Sequence, residues 1–170
     1  VIPAKAGIFV WLIKKIPAFA GMTDQNMINN KKIGLALGSG GARGFAHVGV
    51  LKVLEENNIK IDYIAGASIG AVVGGLYSAH QNIKELEEMV ETTDWKRFMS
   101  LLDPSLKSGL LHGEKARQFF ENYIGKISFS DLRIPLAVVA TDYKTGNPVV
   151  LREGLVSPAI RASMSVPLAF

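Results

Sequence analysis

Gly66-Ala67-Ser68-Ile69-Gly70 stands between an apolar run, Tyr63-Ile64-Ala65, and a stretch in which Ile69, Val72, Val73, Leu76 and Tyr77 recur at helical spacing. A short buried strand turning sharply into a helix fits this pattern and places Ser68 at the turn, clear of the sheet. The flanking glycines suit a nucleophile elbow, because so tight a turn needs unusual backbone angles and no side chain crowding the serine. The pentapeptide alone is a weak signal, since Gly, Ala and Ser are common residues. Its strand-turn-helix setting gives it weight.

Upstream, residues 32–37 read as an apolar strand that runs into Gly38-Ser39-Gly40-Gly41-Ala42-Arg43-Gly44, followed by a helical pattern over 45–57. Asn57-Asn58 breaks that helix, residues 59–66 supply the next strand, and the helix opened by Ser68 runs to about His80. Two parallel strands joined by a helix form a right-handed crossover. Ile83, Leu86 and Val90 then line one face of a helix whose opposite face, with Glu85, Glu87, Glu88 and Glu91, reads as solvated. Residues 95–111 are irregular, with breaks at Asp103-Pro104 and Ser108-Gly109, as in a loop that covers a site. A helix over 113–123, a central strand over 134–140, a turn at Thr145-Gly146, a strand over 147–152 and a short helix over 156–163 complete the pattern. The alternation of strands and helices predicts an α/β fold with a mostly parallel sheet.

The chain has 170 residues, 48% of them hydrophobic, which is enough for one core and too few for two comfortable domains. It has no cysteine, which excludes a disulfide framework, a thiolate zinc site and a cysteine nucleophile. The net charge of +4 is concentrated at the start: residues 1–31 carry Lys5, Lys14, Lys15 and Lys31 against Asp24 alone. The body is nearly neutral, so the sequence argues against a nucleic-acid partner.

Both ends differ from the body. Ile2-Pro3-Ala4-Lys5-Ala6-Gly7-Ile8 is echoed by Ile16-Pro17-Ala18-Phe19-Ala20-Gly21-Met22, and the apolar patch between them is far shorter than the ~20 residues that span a bilayer. Ala18-Phe19-Ala20 is similar to a signal-peptide cleavage site, but Lys14 and Lys15 interrupt the apolar region before it. Residues 1–26 are therefore expected to be a non-native or disordered leader, with translation starting at Met22 or Met27. At the other end, Ser165-Val166-Pro167-Leu168-Ala169-Phe170 is apolar and uncharged, as in a chain cut in mid-domain.

The loop 38–44 lacks the Gly-Lys-Ser/Thr of a phosphate loop, and Arg43 occupies the third glycine position of a dinucleotide fingerprint. An oxyanion hole asks only for uncovered backbone N–H groups at a helix start, which glycines provide. Close packing of backbones would also explain them. Both glycine turns follow a strand and open a helix, so in a parallel sheet they share the carboxyl edge where such folds place their sites. A serine nucleophile also needs a base. His80 lies three turns along the helix that Ser68 opens, ~18 Å away. His112 sits beside a loop and suits a surface or capping role, and His47 reads as a packed helix residue. No Ser-His-Asp triad can be assembled.

Gly38 to Gly44, Gly66 to Gly70, Ala140-Thr141-Asp142 and Arg161-Ala162-Ser163-Met164-Ser165-Val166-Pro167 occur in one order, and together the chain resembles the patatin-like phospholipases in their small bacterial form. The resemblance covers residues 32–170 and makes them the N-terminal part of such a domain. It implies a three-layer αβα fold, incomplete at the C-terminus, and a Ser-Asp dyad acting on phospholipid, lysophospholipid or other lipid esters. Ser68 would be the nucleophile, with Gly40 and Gly41 as oxyanion-hole donors supported by Gly38, Ser39, Ala42, Arg43, Gly44, Gly66 and Gly70. Arg43 would steady the loop or an anionic lipid. The dyad aspartate, in an Asp-Gly-Gly or Asp-Gly-Ala motif, would lie beyond Pro167, and no Asp-Gly pair occurs in the sequence. Asp142 falls in a segment that looks structural in the family. No cofactor or metal is implied. The absence of cysteine leans towards a cytoplasmic location, and the substrate class implies peripheral contact at the inner membrane. Two other readings stand beside this one: an inactive lipid- or partner-binding fragment of the same fold, and a nucleotide-binding domain using the first glycine loop.

Overall fold

The computed structural model describes residues 8–9, 32–92, 118 and 121–165. Its sheet has the order β1-β2-β3-β4-β5 along the chain. Strands β2 (Gly34–Leu37), β3 (Tyr63–Ala67) and β4 (Leu136–Thr141) are parallel, and β5 (Pro148–Leu151) runs antiparallel to β4. Ile8–Phe9 forms a two-residue strand, β1, antiparallel to β2. The fold is α/β, three-layer αβα in class, with an open and mostly parallel sheet.

The helices follow from the burial demanded by their sequences. A 3-10 turn over Gly41–Phe45 leads into α1 (Ala46–Glu56), so helical winding starts inside the glycine loop rather than after it. Every residue of α2 (Ile69–His80) from Ile69 to Ser78 is buried, as expected of a helix apolar all round. It ends where Gln81 adopts a left-handed conformation, φ 52°, and returns its N–H to the Tyr77 carbonyl. In α3 (Ile83–Thr92), Ile83, Leu86 and Met89 are buried. Its acidic face is only partly left to solvent, because Glu87 pairs with Lys52 of α1 at 2.8 Å. The last described helix, α4 (Val156–Met164), packs Val156, Ala159, Ile160 and Met164 inward.

Side chains alternate across the sheet. Leu35, Leu37, Ile64, Leu136 and Val138 face a core shared with α2 and α4. The opposite face carries the half-buried Gly34, Ala36, Ala65, Ala67, Ala137 and Val139.

Strand β3 starts later than its sequence suggests. Strand character was expected from residue 59, but β3 begins at Tyr63. Asn58 turns with φ 55°, and the Ile59 N–H bonds back to Leu54 of α1. Asp62 then clasps Ile33, its N–H donating to the Ile33 carbonyl and its carboxylate accepting the Ile33 N–H at 2.8 Å. Helix end and side-chain clasp consume the groups a ladder would need.

Candidate active site

Ser68 sits between the end of β3 and the first turn of α2, with φ 53° and ψ −123°. That conformation costs a non-glycine residue about 1–3 kcal/mol and survives only where the surroundings enforce it. Here the enforcement is specific. The Ser68 carbonyl already accepts the N–H groups of Ala71 and Val72, so α2 is wound from this residue onward. Its own N–H donates to Ser163 Oγ at 2.8 Å, and the Ser163 hydroxyl donates to the Val139 carbonyl on β4 at 2.5 Å. The Ser68 side chain does not cap its helix, so its hydroxyl is not committed to the backbone there.

The glycine loop lies against this turn. A Cβ on Gly70 would run into the Leu37 carbonyl and come within 2.7 Å of the Gly38 oxygen, and one on Gly44 would collide with the Ile69 side chain. Only glycine at position 70 lets the elbow touch the loop backbone to backbone, and only glycine at position 44 leaves room for the Ile69 side chain. Gly41 is left-handed at φ 54°, and the Arg43 N–H closes onto the Gly40 carbonyl at 3.1 Å. Ser39, Gly40, Ala42 and Arg43 are exposed, whereas Gly44 is buried.

Beneath the loop, His47 is wholly buried, with Nε2 2.9 Å from the Gly38 carbonyl. A carbonyl only accepts, so Nε2 carries the proton and the imidazole anchors the base of the loop. His47 is thus a packed helix residue, as expected, with a further task that helical periodicity does not signal.

The structure therefore brings the two glycine turns together, at Gly70 against Leu37 and Gly38 and at Gly44 against Ile69. Gly66 lies in β3, between Leu37 of β2 and Val138 of β4. His80 is engaged elsewhere, with Nε2 at the Tyr123 carbonyl and Nδ1 3.0 Å from Glu85. His112 and the irregular segment 95–111 lie outside the described residues, as do most of the helix expected over 113–123 and Val166-Pro167. Asp142 shares the carboxyl edge of the sheet with Ser68, but its Oδ1 accepts the N–H groups of Lys144 and Thr145 and the Thr145 hydroxyl. Those bonds, the Thr145 N–H first, hold its carboxyl below the ordinary carboxylate range. It ties off the β4–β5 hairpin. Other described carboxylates are also occupied away from Ser68: Asp62 at Ile33, Glu55 at the Tyr77 hydroxyl and Asp131 at the Ser128 N–H. Ser163 was read only as part of a motif, and its role at the elbow was not legible. Among the described residues no group of three His, Asp or Glu is placed to hold a metal ion.

Comparison with known proteins gives the family. The Patatin-like phospholipase family matches residues 35–170. The chain belongs to that family. Patatin-like phospholipases are lipid ester hydrolases. An uncharacterized NTE family protein of Mycobacterium tuberculosis is 39% identical over 140 residues, covering 82% of this chain and 39% of the relative. Neuropathy target esterase sws of Drosophila melanogaster is 34% identical over 145 residues, covering 82% of this chain and 10% of that protein. The chain thus spans well under half the length of these curated relatives. Among solved structures, the type III effector ExoU superposes with a TM-score of 0.58 at 16% identity, covering 77% of this chain and 38% of that one. A chain in the SpcU–ExoU complex of Pseudomonas aeruginosa gives 0.64 at 17%, covering 81% and 39%. This patatin-like chain shares their fold.

Proposed function

We propose that this patatin-like chain carries the nucleophile half of a serine acyl hydrolase acting on phospholipid, lysophospholipid or other lipid esters. The observation that carries the reading is Ser68: a non-glycine residue held at φ 53° between strand and helix, packed against a glycine loop with exposed backbone. In this mechanism Ser68 Oγ attacks the acyl carbonyl and its proton passes to a carboxylate base. The carbonyl electrons move onto oxygen, where the Gly40 and Gly41 N–H groups stabilise the charge. Collapse expels the alcohol or lysolipid, protonated by the same carboxyl group, and water then releases the fatty acid from the acyl-enzyme. The resemblance to the family implies an aspartate beyond Pro167 as that base; Asp142 is committed to its turn. Aspartate can serve directly when a dry site raises its pKa. Contact with the membrane that supplies the lipid is peripheral, in keeping with the absence, among the described residues, of a helix long and apolar enough to cross it.

The test is reaction of the full-length protein with a fluorophosphonate and a short-chain ester. Labelling at Ser68 and loss of turnover in Ser68→Ala are expected. Turnover unchanged in Ser68→Ala would refute the reading. Labelling without turnover would identify an inactive member of the fold.

A further inference from the structure

We infer that Ser163 is a positioning residue for the nucleophile, a role that rests on the reading of Ser68 as that nucleophile. Three observations converge on it. Ser163 Oγ bridges two strands' ends, accepting the Ser68 N–H at 2.8 Å and donating to the Val139 carbonyl. Because the carbonyl takes the hydroxyl proton, an oxygen lone pair is left facing the Ser68 N–H, and the hydroxyl has one orientation that satisfies both. Ser68 holds a backbone conformation that needs outside support, and this bond acts on the residue itself. Finally, Ser163 is carried on a firm platform. The wholly buried Ile160 lies against Gly75 of α2, and Met164 is buried beside it in sequence. The single Ser165 N–H is shared between the Arg161 and Ala162 carbonyls and closes the helix just beyond Ser163.

The bond also constrains the oxyanion hole. With its N–H given to Ser163, Ser68 does not itself donate to the developing oxyanion. Ser163 touches no reacting atom; it fixes where Ser68 Oγ points.

The experiment compares Ser163→Ala, Ser163→Thr and Ser163→Val with the parent in the full-length protein. Thr and Val share one shape and differ in the hydroxyl. The readouts are the rate of fluorophosphonate labelling at Ser68, kcat and KM for a short-chain ester, and hydrogen exchange of the Ser68 amide. Ala and Val are expected to lower the labelling rate and kcat by about ten- to a hundredfold with KM little changed, as for a misdirected nucleophile. Thr is expected to recover most of the loss, and Ser68 amide exchange to quicken in Ala and Val but not in Thr. Parent-like labelling in Ser163→Ala, or Thr no better than Val, would overturn the assignment. If the parent itself is not labelled at Ser68, the hydrolase reading fails instead, and amide exchange still decides the tether: unchanged exchange in Ser163→Ala removes it. Should Ala and Val not fold, slow labelling or fast Ser68 exchange in folded Thr would overturn the assignment, and parent-like values would uphold it.

Discussion

The two glycine turns of this protein have the same plan and opposite characters. Each leaves a parallel strand and opens a helix at the same edge of the sheet. The elbow at Ser68 is strained, half-buried and held from 95 residues away by Ser163. The loop at 38–44 is largely exposed and held from only nine residues away by His47. The difference matches what the proposed mechanism asks of each. A nucleophile has to point one way, whereas a set of N–H donors has to remain uncovered so that a carbonyl can reach it. Gly70 and Gly44 are where the two devices meet, and they make one site of two local turns.

The contrast breaks first at that seam. Gly70→Ala drives a methyl into the Leu37 and Gly38 backbone, which cannot yield as a flexible side chain would. A loss of about 3 kcal/mol in denaturant unfolding is expected, together with loss of Ser68 labelling. His47→Ala empties a buried position and frees the Gly38 carbonyl, and should cost about 2 kcal/mol. A loss from His47→Gln as large as that from His47→Ala would show that packing, and not the hydrogen bond, is what matters there.

Smaller effects sharpen the comparison. Gly41→Ala adds a methyl to open space at φ 54°, so only backbone strain is felt, about 1 kcal/mol by thermal unfolding. Ser68→Gly should run the other way. Relief of strain offsets the added chain entropy, and the variant should be no less stable than the parent while reacting with no probe.

The smallest effect is at the hairpin beside the site. The Asp142 carboxyl is depressed by its turn hydrogen bonds. Its contribution is therefore complete above the unfolded carboxylate pKa of about 3.9 and is lost as pH falls through the lower folded value. Exchange of the Lys144 and Thr145 amides should quicken, after correction for intrinsic rates, only below about pH 4. Asp142→Asn should flatten that dependence.

Much of this architecture was legible in the residues. The apolar run before Ser68, the helical spacing after it and the second glycine turn place the parallel strands and the site edge, because burial and turn geometry are local demands. The start of β3 was not legible, since the Asp62 clasp on Ile33 joins residues 29 apart and leaves no periodic signal. Nor was Ser163. Its hydroxyl becomes meaningful only when α4 is packed against β4 and α2, and no spacing along the chain announces that. His47 lay between these cases: its burial follows from helical position, but its bond to Gly38 depends on how the loop folds back.

The central claim is that Ser68 is the nucleophile of this patatin-like chain, and the most direct measurement is peptide mapping of the full-length protein after fluorophosphonate treatment. A single adduct on the peptide containing Gly66 to Gly70, absent in Ser68→Ala, is expected. An adduct on another residue, or one that persists in Ser68→Ala, would contradict it.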